Sequence, residues 1–223
     1  MLTINKTFLN ESEKQSFVLE CEEQFESDLD RIANSILEED GVRFVTLAGP
    51  TCSGKTTTAA TLIRDLNKAG RRVRLVSIDD FFRDRTELLE EAKAEGRKEP
   101  DFETVRAIDF ELLSECVEKI SRGERVRLPI FDFTLGSRRG YEEFDASMYD
   151  VALFEGIQAI YPEVTDLFRH YHTKSIYVSV ADDVTVNGVF FSSRMVRFLR
   201  RLVRDYFFRA STPEYTFKLW KNV

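Results

Sequence analysis

The sequence predicts an α/β protein built on a doubly wound parallel sheet with three layers. Stretches compatible with helices alternate with four short apolar runs, as repeated strand–helix–strand units require, at residues 43–48, 73–78, 149–154 and 175–180. A glycine-rich loop also joins the first run to a helix, and carboxylates follow two of the runs. Because ligands in such sheets bind beyond the carboxyl ends of the strands, we expect the chemistry in the segments that follow strands.

The chain opens with a predicted amphipathic helix. Gly41 separates this helix from the first strand, and residues 57–66 are compatible with the first core helix. Within residues 11–39, apolar side chains recur at steps of three and four, which predicts a helical lead-in over residues 1–40. These side chains are Phe17, Cys21, Phe25, Leu29, Ile32 and Ile36.

Residues 83–145 are predicted as an insert between core strands. Its first part, residues 83–100, is highly charged and predicts a surface helix or loop. Asp109 is a candidate cap for a following amphipathic helix, because Asp is favoured at that position. Two short extended runs around a Leu-Gly pair then predict a β-hairpin, with strands at residues 125–133 and 138–144.

The last third of the chain contains two more strands and an arginine-rich helix. Residues 149–154 form the most apolar run, which favours a central strand of a parallel sheet. The arginine-rich helix is predicted over about residues 192–208 from its spacing, within a lid segment at 192–212. We expect a single domain over residues 1–223.

Composition limits the class of protein. The 223 residues suffice for one α/β domain, and the net charge of −7 argues against general nucleic-acid binding. No apolar run approaches the length of a membrane span, and the N-terminus lacks the pattern of a signal peptide. Three cysteines show neither zinc nor redox spacing, which favours reduced thiols in the cytoplasm. The sequence leaves open whether the chain forms a homo-oligomer.

Residues 49–56 carry the clearest motif. They read Gly-Pro-Thr-Cys-Ser-Gly-Lys-Thr, a complete Gly-x-x-x-x-Gly-Lys-Thr phosphate loop between a strand and a helix. That context directs backbone N–H groups and a helix N-terminus at an anion, so the loop predicts a nucleotide polyphosphate. Lys55 is expected on the β- and γ-phosphates and Thr56 on Mg²⁺. The predicted nucleotide-binding residues are Gly49, Pro50, Thr51, Cys52, Ser53, Gly54, Lys55, Thr56 and Thr57.

Carboxylates follow two of the predicted strands. Asp79 and Asp80 are candidates for the base that accepts a proton from an acceptor hydroxyl, with Asp79 the better placed. Their alternative role is to cap a helix beginning at Phe81. Glu155 stands where a second Mg²⁺ ligand would lie, directly or through water, and its alternative role is to cap the following turn.

The arginine-rich helix concentrates positive charge in an acidic protein. Its stripe consists of Arg194, Arg197, Arg201 and Arg204, and Arg209 extends it. Three interpretations remain open. The stripe can be a solvated face with ion pairs, a surface for nucleic acid, or a lid that neutralises the transferring phosphate.

Five motifs in order resemble the uridine kinase and phosphoribulokinase family of P-loop kinases. The resemblance begins near Gly41, extends to the C-terminus and is closest to a bacterial uridine kinase-like branch. It implies a P-loop NTPase fold, ATP as phosphate donor and Mg²⁺. The motifs are residues 49–56, 77–82, 129–133, 153–156 and 200–205.

The resemblance also implies roles for individual residues. Asp79 would be the catalytic base, with Lys55, Arg201 and Arg204 as further catalytic residues, and Arg209 would lie near ATP. Thr56 and Glu155 would hold Mg²⁺. It implies that Glu103, Phe131 and Asp132 lie near the acceptor. Further candidate acceptor-binding residues are Asp80, Phe82 and Arg138.

Two features depart from the family pattern. Phe131 and Gly136 stand where well-studied members have the Tyr and His that read the pyrimidine. Neither replacement can make those hydrogen bonds. Members also usually continue with a strand and a helix after the lid, so we expect a chain that is truncated, unusually short or missing part of the adenine pocket.

These features together predict a cytoplasmic, ATP- and Mg²⁺-dependent kinase. Its partners would be ATP and a small hydroxyl-bearing acceptor, with a nucleoside as the first choice and neither nucleic acid nor membrane. One alternative acceptor is pantothenate, glycerate or a sugar phosphate, for which Arg138 and Arg139 are candidate contacts. The other alternative is a nucleotide-binding module that transfers no phosphate.

Overall fold

The computed structural model describes residues 3–100, 102, 104–180, 182–209 and 211–220. The chain divides into two compact units. Unit 1 comprises Met1–Arg31, Gly49–Lys55 and Val178–Val223, and unit 2 comprises Ile32–Ala48 and Thr56–Tyr177.

The strands in chain order are β1 (Thr3–Lys6), β2 (Phe44–Ala48), β3 (Val73–Ser77), β4 (Arg125–Asp132), β5 (Ser137–Asp145), β6 (Val151–Glu155), β7 (Thr173–Tyr177), β8 (Asp183–Val186) and β9 (Val189–Phe191). The α-helices are α1 (Glu11–Leu37), α2 (Lys55–Lys68), α3 (Arg85–Ala94), α4 (Phe110–Ser121), α5 (Pro162–Phe168), α6 (Ser193–Phe208) and α7 (Pro213–Trp220). Within the described ranges, every helix is too short or too polar to cross a lipid bilayer.

Unit 2 contains the predicted parallel sheet. Its strands are ordered β3-β6-β2-β7, and each neighbouring pair is parallel. All five residues of β2 and the first four of β6 are buried, because these central strands are covered on both faces. The central place predicted for the most apolar run is therefore confirmed, and with it the fold class.

The insert predicted between core strands also lies in unit 2. The charged segment forms α3, and α4 begins where Asp109 Oδ1 accepts a hydrogen bond from Leu112 N at 3.1 Å. Strands β4 and β5 pair as an antiparallel hairpin, with a register shift between Ile130 and Phe131. The buried face of α4 includes Cys116, and burial raises the pKa of that thiol to about 12.

Unit 1 contains a small sheet that the sequence pattern did not predict. Strand β1 pairs in parallel with β8, which forms a short antiparallel ladder with β9. Helices α6 and α7 follow. Phe198 on α6 packs against Phe217 and Trp220 on α7, with ring centroids 5.8 and 5.4 Å away. The short helix α7, like α5 in unit 2, was also not predicted.

Candidate active site

The phosphate loop in unit 1 follows β2 directly and is shaped by close backbone approaches. A Cβ on Gly49 would overlap the carbonyl oxygen of Val178 and lie 2.8 Å from Ser53 Oγ, so only glycine fits. Cys52 and Gly54 have φ values of +59° and +112°, in the left-handed region. These turns bring the chain from the end of β2 to the start of α2 at Lys55.

The loop has the properties of an anion site. The N-terminus of α2 presents backbone N–H groups and the positive end of a helix dipole. Ser53 is only 7% exposed, and its hydroxyl has no hydrogen-bond partner within the described part of the chain. Buried hydroxyls normally have partners, so this donor fits a phosphate oxygen. The loop residues are therefore suited to the polyphosphate that their sequence predicts.

Two arginines of α6 lie beside the loop within unit 1. Arg197 Nη1 is 3.5 Å from the carbonyl oxygen of Thr51. Arg200 Nη2 is 3.6 Å from the point that a Cβ on Gly54 would occupy. Neither arginine was assigned to the site from sequence, although Arg197 belongs to the predicted stripe. The spacing of three residues between them could have indicated a shared helix face.

The predicted catalytic arginines Arg201 and Arg204 are held by one buried carboxylate. Asp205 is 4% exposed, and its Oδ1 is 2.7 Å from Arg204 Nη2 while its Oδ2 is 3.3 Å from Arg201 Nε. Arg209 Nε is 4.0 Å from Asp205, and the Thr216 hydroxyl donates to it at 3.3 Å. Burial raises the pKa of Asp205, but the two nearer guanidiniums outweigh burial and hold it below its usual value. Asp205 thus stays ionised and anchors this group.

Trp220 supports the same arginines from α7. The guanidinium carbons of Arg197 and Arg201 lie 5.6 and 5.9 Å from the centre of its ring, within the range of cation–π attraction. The indole is buried. Because both arginines contact the same ring, α7 restricts their orientations as well as covering α6.

The parallel register in unit 2 gathers the predicted carboxylates at one sheet edge. Glu155 pairs with both Leu47 and Ser77 across the two neighbouring strands. Asp79 and Asp80 follow Ser77 in a short 3-10 helix over Ile78–Phe81, in which Ser77 is the N-cap residue and makes no side-chain cap hydrogen bond. Glu155 at the end of β6 and the two aspartates after β3 therefore lie at the same edge of the sheet, where the carboxyl ends of the strands meet.

Asp79 is held by a neutral side chain that sequence reasoning missed. Gln158 Nε2 donates a hydrogen bond to Asp79 Oδ1 at 2.6 Å. Gln158 is 2% exposed and lies on the 3-10 helix Ile157–Ile160, which follows Glu155 and Gly156. A single glutamine within an apolar run carries no recognisable motif, so no sequence signal pointed to it.

Asp80 contacts the hairpin. Its Oδ1 accepts a hydrogen bond from Phe131 N at 3.2 Å. Burial raises the pKa of Asp80, and the nearby charges of Asp79 and Glu142 add to that rise, which outweighs the opposing effect of the Phe131 N–H. Asp80 therefore connects the end of β3 with β4 and favours its protonated form more than an ordinary aspartate does.

The two predicted metal ligands suit Mg²⁺, which binds oxygen atoms and needs few ligands from the protein. Thr56 and Glu155 offer hydroxyl and carboxylate oxygens, the type of ligand that Mg²⁺ prefers. Among the described residues, no group of three or more His, Cys, Asp or Glu side chains could hold a metal ion. Mg²⁺ commonly takes one or two protein ligands together with substrate phosphates, which this donor set fits.

The predicted acceptor residues Phe82 and Phe131 meet in an aromatic group that we call the phenylalanine cluster. It consists of Phe82, Phe102, Phe131 and Phe133, and its neighbouring ring centroids are 5.2 to 5.9 Å apart. Phe82 and Phe131 are buried, whereas Phe133 is exposed. The cluster provides an aromatic wall beside Asp80.

Two other predicted acceptor residues make local contacts. Asp132 Oδ1 accepts the N–H groups of Thr134 and Leu135 and so stabilises the hairpin turn. Arg138 Nη2 is 2.8 Å from Asp109 Oδ2, in a cavity of about 400 Å³ that both residues line. Glu103, also predicted to contact the acceptor, lies outside the described residues.

Similarity to known proteins agrees with this arrangement. A uridine kinase from Schizosaccharomyces pombe is 30% identical over 171 residues, which cover 76% of this chain and 33% of that protein. Uridine-cytidine kinase 2-B from Danio rerio is 34% identical over 132 residues, which cover 55% of this chain and 48% of that protein. The chain thus spans a third to a half of the length of these curated relatives. A uridine kinase from Staphylococcus haemolyticus is 29% identical, covering 79% and 75%.

Solved structures share the fold. A protein from Silicibacter sp. TM1040 named for a fructose transport system kinase has a TM-score of 0.61 at 23% identity, covering 84% of this chain and 85% of that one. A Bacillus stearothermophilus protein described as a possible uridine kinase has a TM-score of 0.54 at 20% identity, covering 69% and 80%. The sequence model of the Phosphoribulokinase / Uridine kinase family matches residues 44–220. With the phosphate loop and the parallel sheet already established, the chain belongs to the phosphoribulokinase/uridine kinase family.

Proposed function

We propose that the chain is a cytoplasmic, ATP-dependent kinase that transfers the γ-phosphate to a hydroxyl of a nucleoside. The observation that carries the proposal is the phosphate loop, with two guanidiniums beside it and a buried Ser53 hydroxyl that has no partner among the described residues. Such a loop binds a polyphosphate, and membership of the family supports ATP as the donor.

The residues divide the work of phosphoryl transfer. Asp79 accepts the proton of the acceptor hydroxyl, and Lys55 contacts the β- and γ-phosphates. Arg201, Arg204 and the arginines beside the loop neutralise charge that spreads over the transferring oxygens. Thr56 and Glu155 would hold Mg²⁺, which supplies further charge neutralisation when bound.

The nucleoside is supported by two observations. The exposed Phe133 of the phenylalanine cluster offers a ring on which a base can stack, and its neighbour Phe131 contacts Asp80 in the segment after β3. Several curated relatives are named uridine or uridine-cytidine kinases. Stacking tolerates any base, so the cluster favours nucleosides as a class more than uridine alone.

A second candidate acceptor is a non-aromatic polyol such as glycerate or a sugar phosphate. It is favoured by Phe131, because a phenyl ring supplies no hydrogen bond to a base. Arg138, the candidate contact for an acceptor phosphate, forms an ion pair with Asp109.

The test is ADP release from the purified protein with Mg²⁺-ATP against nucleosides, pantothenate, glycerate and sugar phosphates. We expect acceleration by at least one nucleoside and weaker acceleration by the others. Acceleration by a non-aromatic acceptor alone would replace the nucleoside with that compound. ATP binding without acceleration by any acceptor would contradict the kinase and favour a non-catalytic nucleotide-binding module.

A further inference from the structure

We propose that Gln158 is a positioning residue for Asp79, the base of the proposed reaction, so this inference rests on that function. The amide of Gln158 donates to Asp79 Oδ1 at 2.6 Å, which is short for a hydrogen bond from nitrogen to oxygen. The glutamine is 2% exposed, so water does not compete for the contact. Asp79 thus has one carboxylate oxygen fixed by a rigid, buried partner.

The other end of the same amide shows that Gln158 is poorly suited to a purely structural role. Its Oε1 is buried and has no hydrogen-bond partner within the described ranges. A buried carbonyl without a partner lowers stability, and an apolar side chain of similar size would avoid that loss. The contact from Nε2 to Asp79 offsets this loss, which points to a role in holding the carboxylate.

Gly156 makes room for this arrangement. A Cβ at that position would lie 2.5 Å from Gln158 Oε1 and 3.0 Å from Ile78 Cβ. Any larger residue would displace the amide of Gln158 or the side chain of Ile78. Glu155 ends β6, and the segment that follows provides both the space for the amide and Gln158 itself. Through Gln158 it ties the end of β6 to the end of β3.

The contact suits a general base. Because Gln158 occupies Oδ1, Oδ2 is the oxygen left to receive the acceptor proton. As the bond from the acceptor oxygen to the γ-phosphorus forms, that proton moves to Asp79, and the bridging P–O bond breaks with its electron pair leaving on ADP. An uncharged donor orients the carboxylate without the strong stabilisation of the anion that an arginine would give.

The test is a series of substitutions at Gln158, measured by steady-state kinetics, nucleotide titration and thermal unfolding. Gln158→Leu should lower kcat roughly 10- to 100-fold, because the base is no longer oriented. Mg²⁺-ATP affinity should stay within about threefold, because the phosphate loop is untouched. The melting temperature of Gln158→Leu should equal or exceed that of the wild type. Gln158→His, which restores an N–H donor, should recover part of kcat, and Gln158→Glu should have the lowest kcat because it faces Asp79 with a like charge.

A matched control is available on the surface of α1. Gln24 Nε2 also donates to an aspartate, Asp28, but at an exposed site. Gln24→Leu should leave kcat, nucleotide affinity and melting temperature unchanged.

The outcomes separate this inference from the proposed function. A wild-type protein without acceptor-dependent ADP release would remove the reaction and Gln158's role with it. An active wild type with Gln158→Leu within twofold in kcat would overturn only the role of Gln158. A variant that loses kcat together with melting temperature and nucleotide affinity would also overturn it, because the residue would then be structural.

Discussion

Asp79 and Asp205 are two carboxylates held by opposite kinds of partner. Asp79 receives one neutral amide, whereas Asp205 is surrounded by the guanidiniums of Arg201 and Arg204 and by a more distant Arg209. A neutral amide orients a carboxylate without compensating its charge. The guanidiniums around Asp205 both compensate the charge of that carboxylate and hold it in position. The comparison separates a carboxylate suited to chemistry from one suited to anchoring, and each of the following changes tests it.

Asp79→Asn should have the largest effect. We expect turnover to fall about 10²- to 10⁴-fold, the usual contribution of a general base, while the affinity for Mg²⁺-ATP stays similar. Steady-state ADP release and nucleotide titration measure the two quantities. Asp28→Asn is the control, because Asp28 also accepts a glutamine amide but at an exposed site. Wild-type turnover in Asp79→Asn would show that Asp79 is not the base.

Asp205→Asn should act mainly on stability. Removing this charge leaves Arg201 and Arg204 without their shared partner, and breaking a buried ion pair costs about 3 kcal/mol of unfolding free energy. Urea unfolding measures the loss. Asp166→Asn breaks an exposed pair with Arg169 and should change stability by about 0.5 kcal/mol or less. Equal losses in the two variants would mean that Asp205 does not anchor the arginines.

Gly156→Ala tests the neutral partner indirectly. The added Cβ would press on Gln158 Oε1, so we expect a loss of about 1–3 kcal/mol in stability and a lower kcat through displaced Gln158. Gly140→Ala is the control, since nothing lies within 4 Å of its added Cβ. Unfolding and kinetics on both variants give the measurement. Unchanged kcat in Gly156→Ala would argue against the coupling between the turn and Asp79.

The acid dependence of stability should differ in sign between the two regions. The pKa of Asp205 is lowered in the folded state, so its stabilisation is present above its unfolded pKa of about 3.9 and is lost as pH falls through the folded value. The pKa of Asp80 is raised, so its stabilisation is present at low pH and is lost as pH rises through the folded value. Urea unfolding from pH 3 to pH 8 measures both contributions. Asp205→Asn should remove a rise in stability with pH, and Asp80→Asn should remove a fall in stability with pH. Slopes of the same sign would contradict the assignment.

Arg209→Gln should have the smallest effect. Arg209 is 60% exposed and 4.0 Å from Asp205, so solvent screens the interaction. We expect a change of about 0.5 kcal/mol or less in stability. Urea unfolding again gives the value, and a loss as large as that of Asp205→Asn would place Arg209 within the anchored group.

The parts of the fold predicted from sequence are those encoded by local patterns. The apolar run at residues 149–154 predicted a buried central strand, and the glycine-rich loop fixed the first strand and helix. Strand β1 and its partner β8 were missed because each is only four residues long and they lie far apart in the chain. Their stability comes from pairing, which no local pattern records.

The candidate site shows the same limit. Spacing identified the arginine stripe, but it could not tell that Arg197 and Arg200 lie beside the loop while Arg201 and Arg204 contact Asp205. Helical periodicity gives relative angles and not the direction of a neighbour. Gln158 could not be predicted for a similar reason, because its contact with Asp79 forms only when the fold brings the end of β3 beside it.

Unit 1 is built from segments that lie far apart in the sequence, which has a consequence for synthesis on the ribosome. Its loop segment, Gly49–Lys55, is synthesised before the segment that contacts it, Val178–Val223. At usual elongation rates the end of the first segment and the start of the second are separated by roughly 6–25 s. Val178 and the arginines of α6 are absent during that interval, so the nascent chain displays the glycine-rich loop before the loop can complete its contacts.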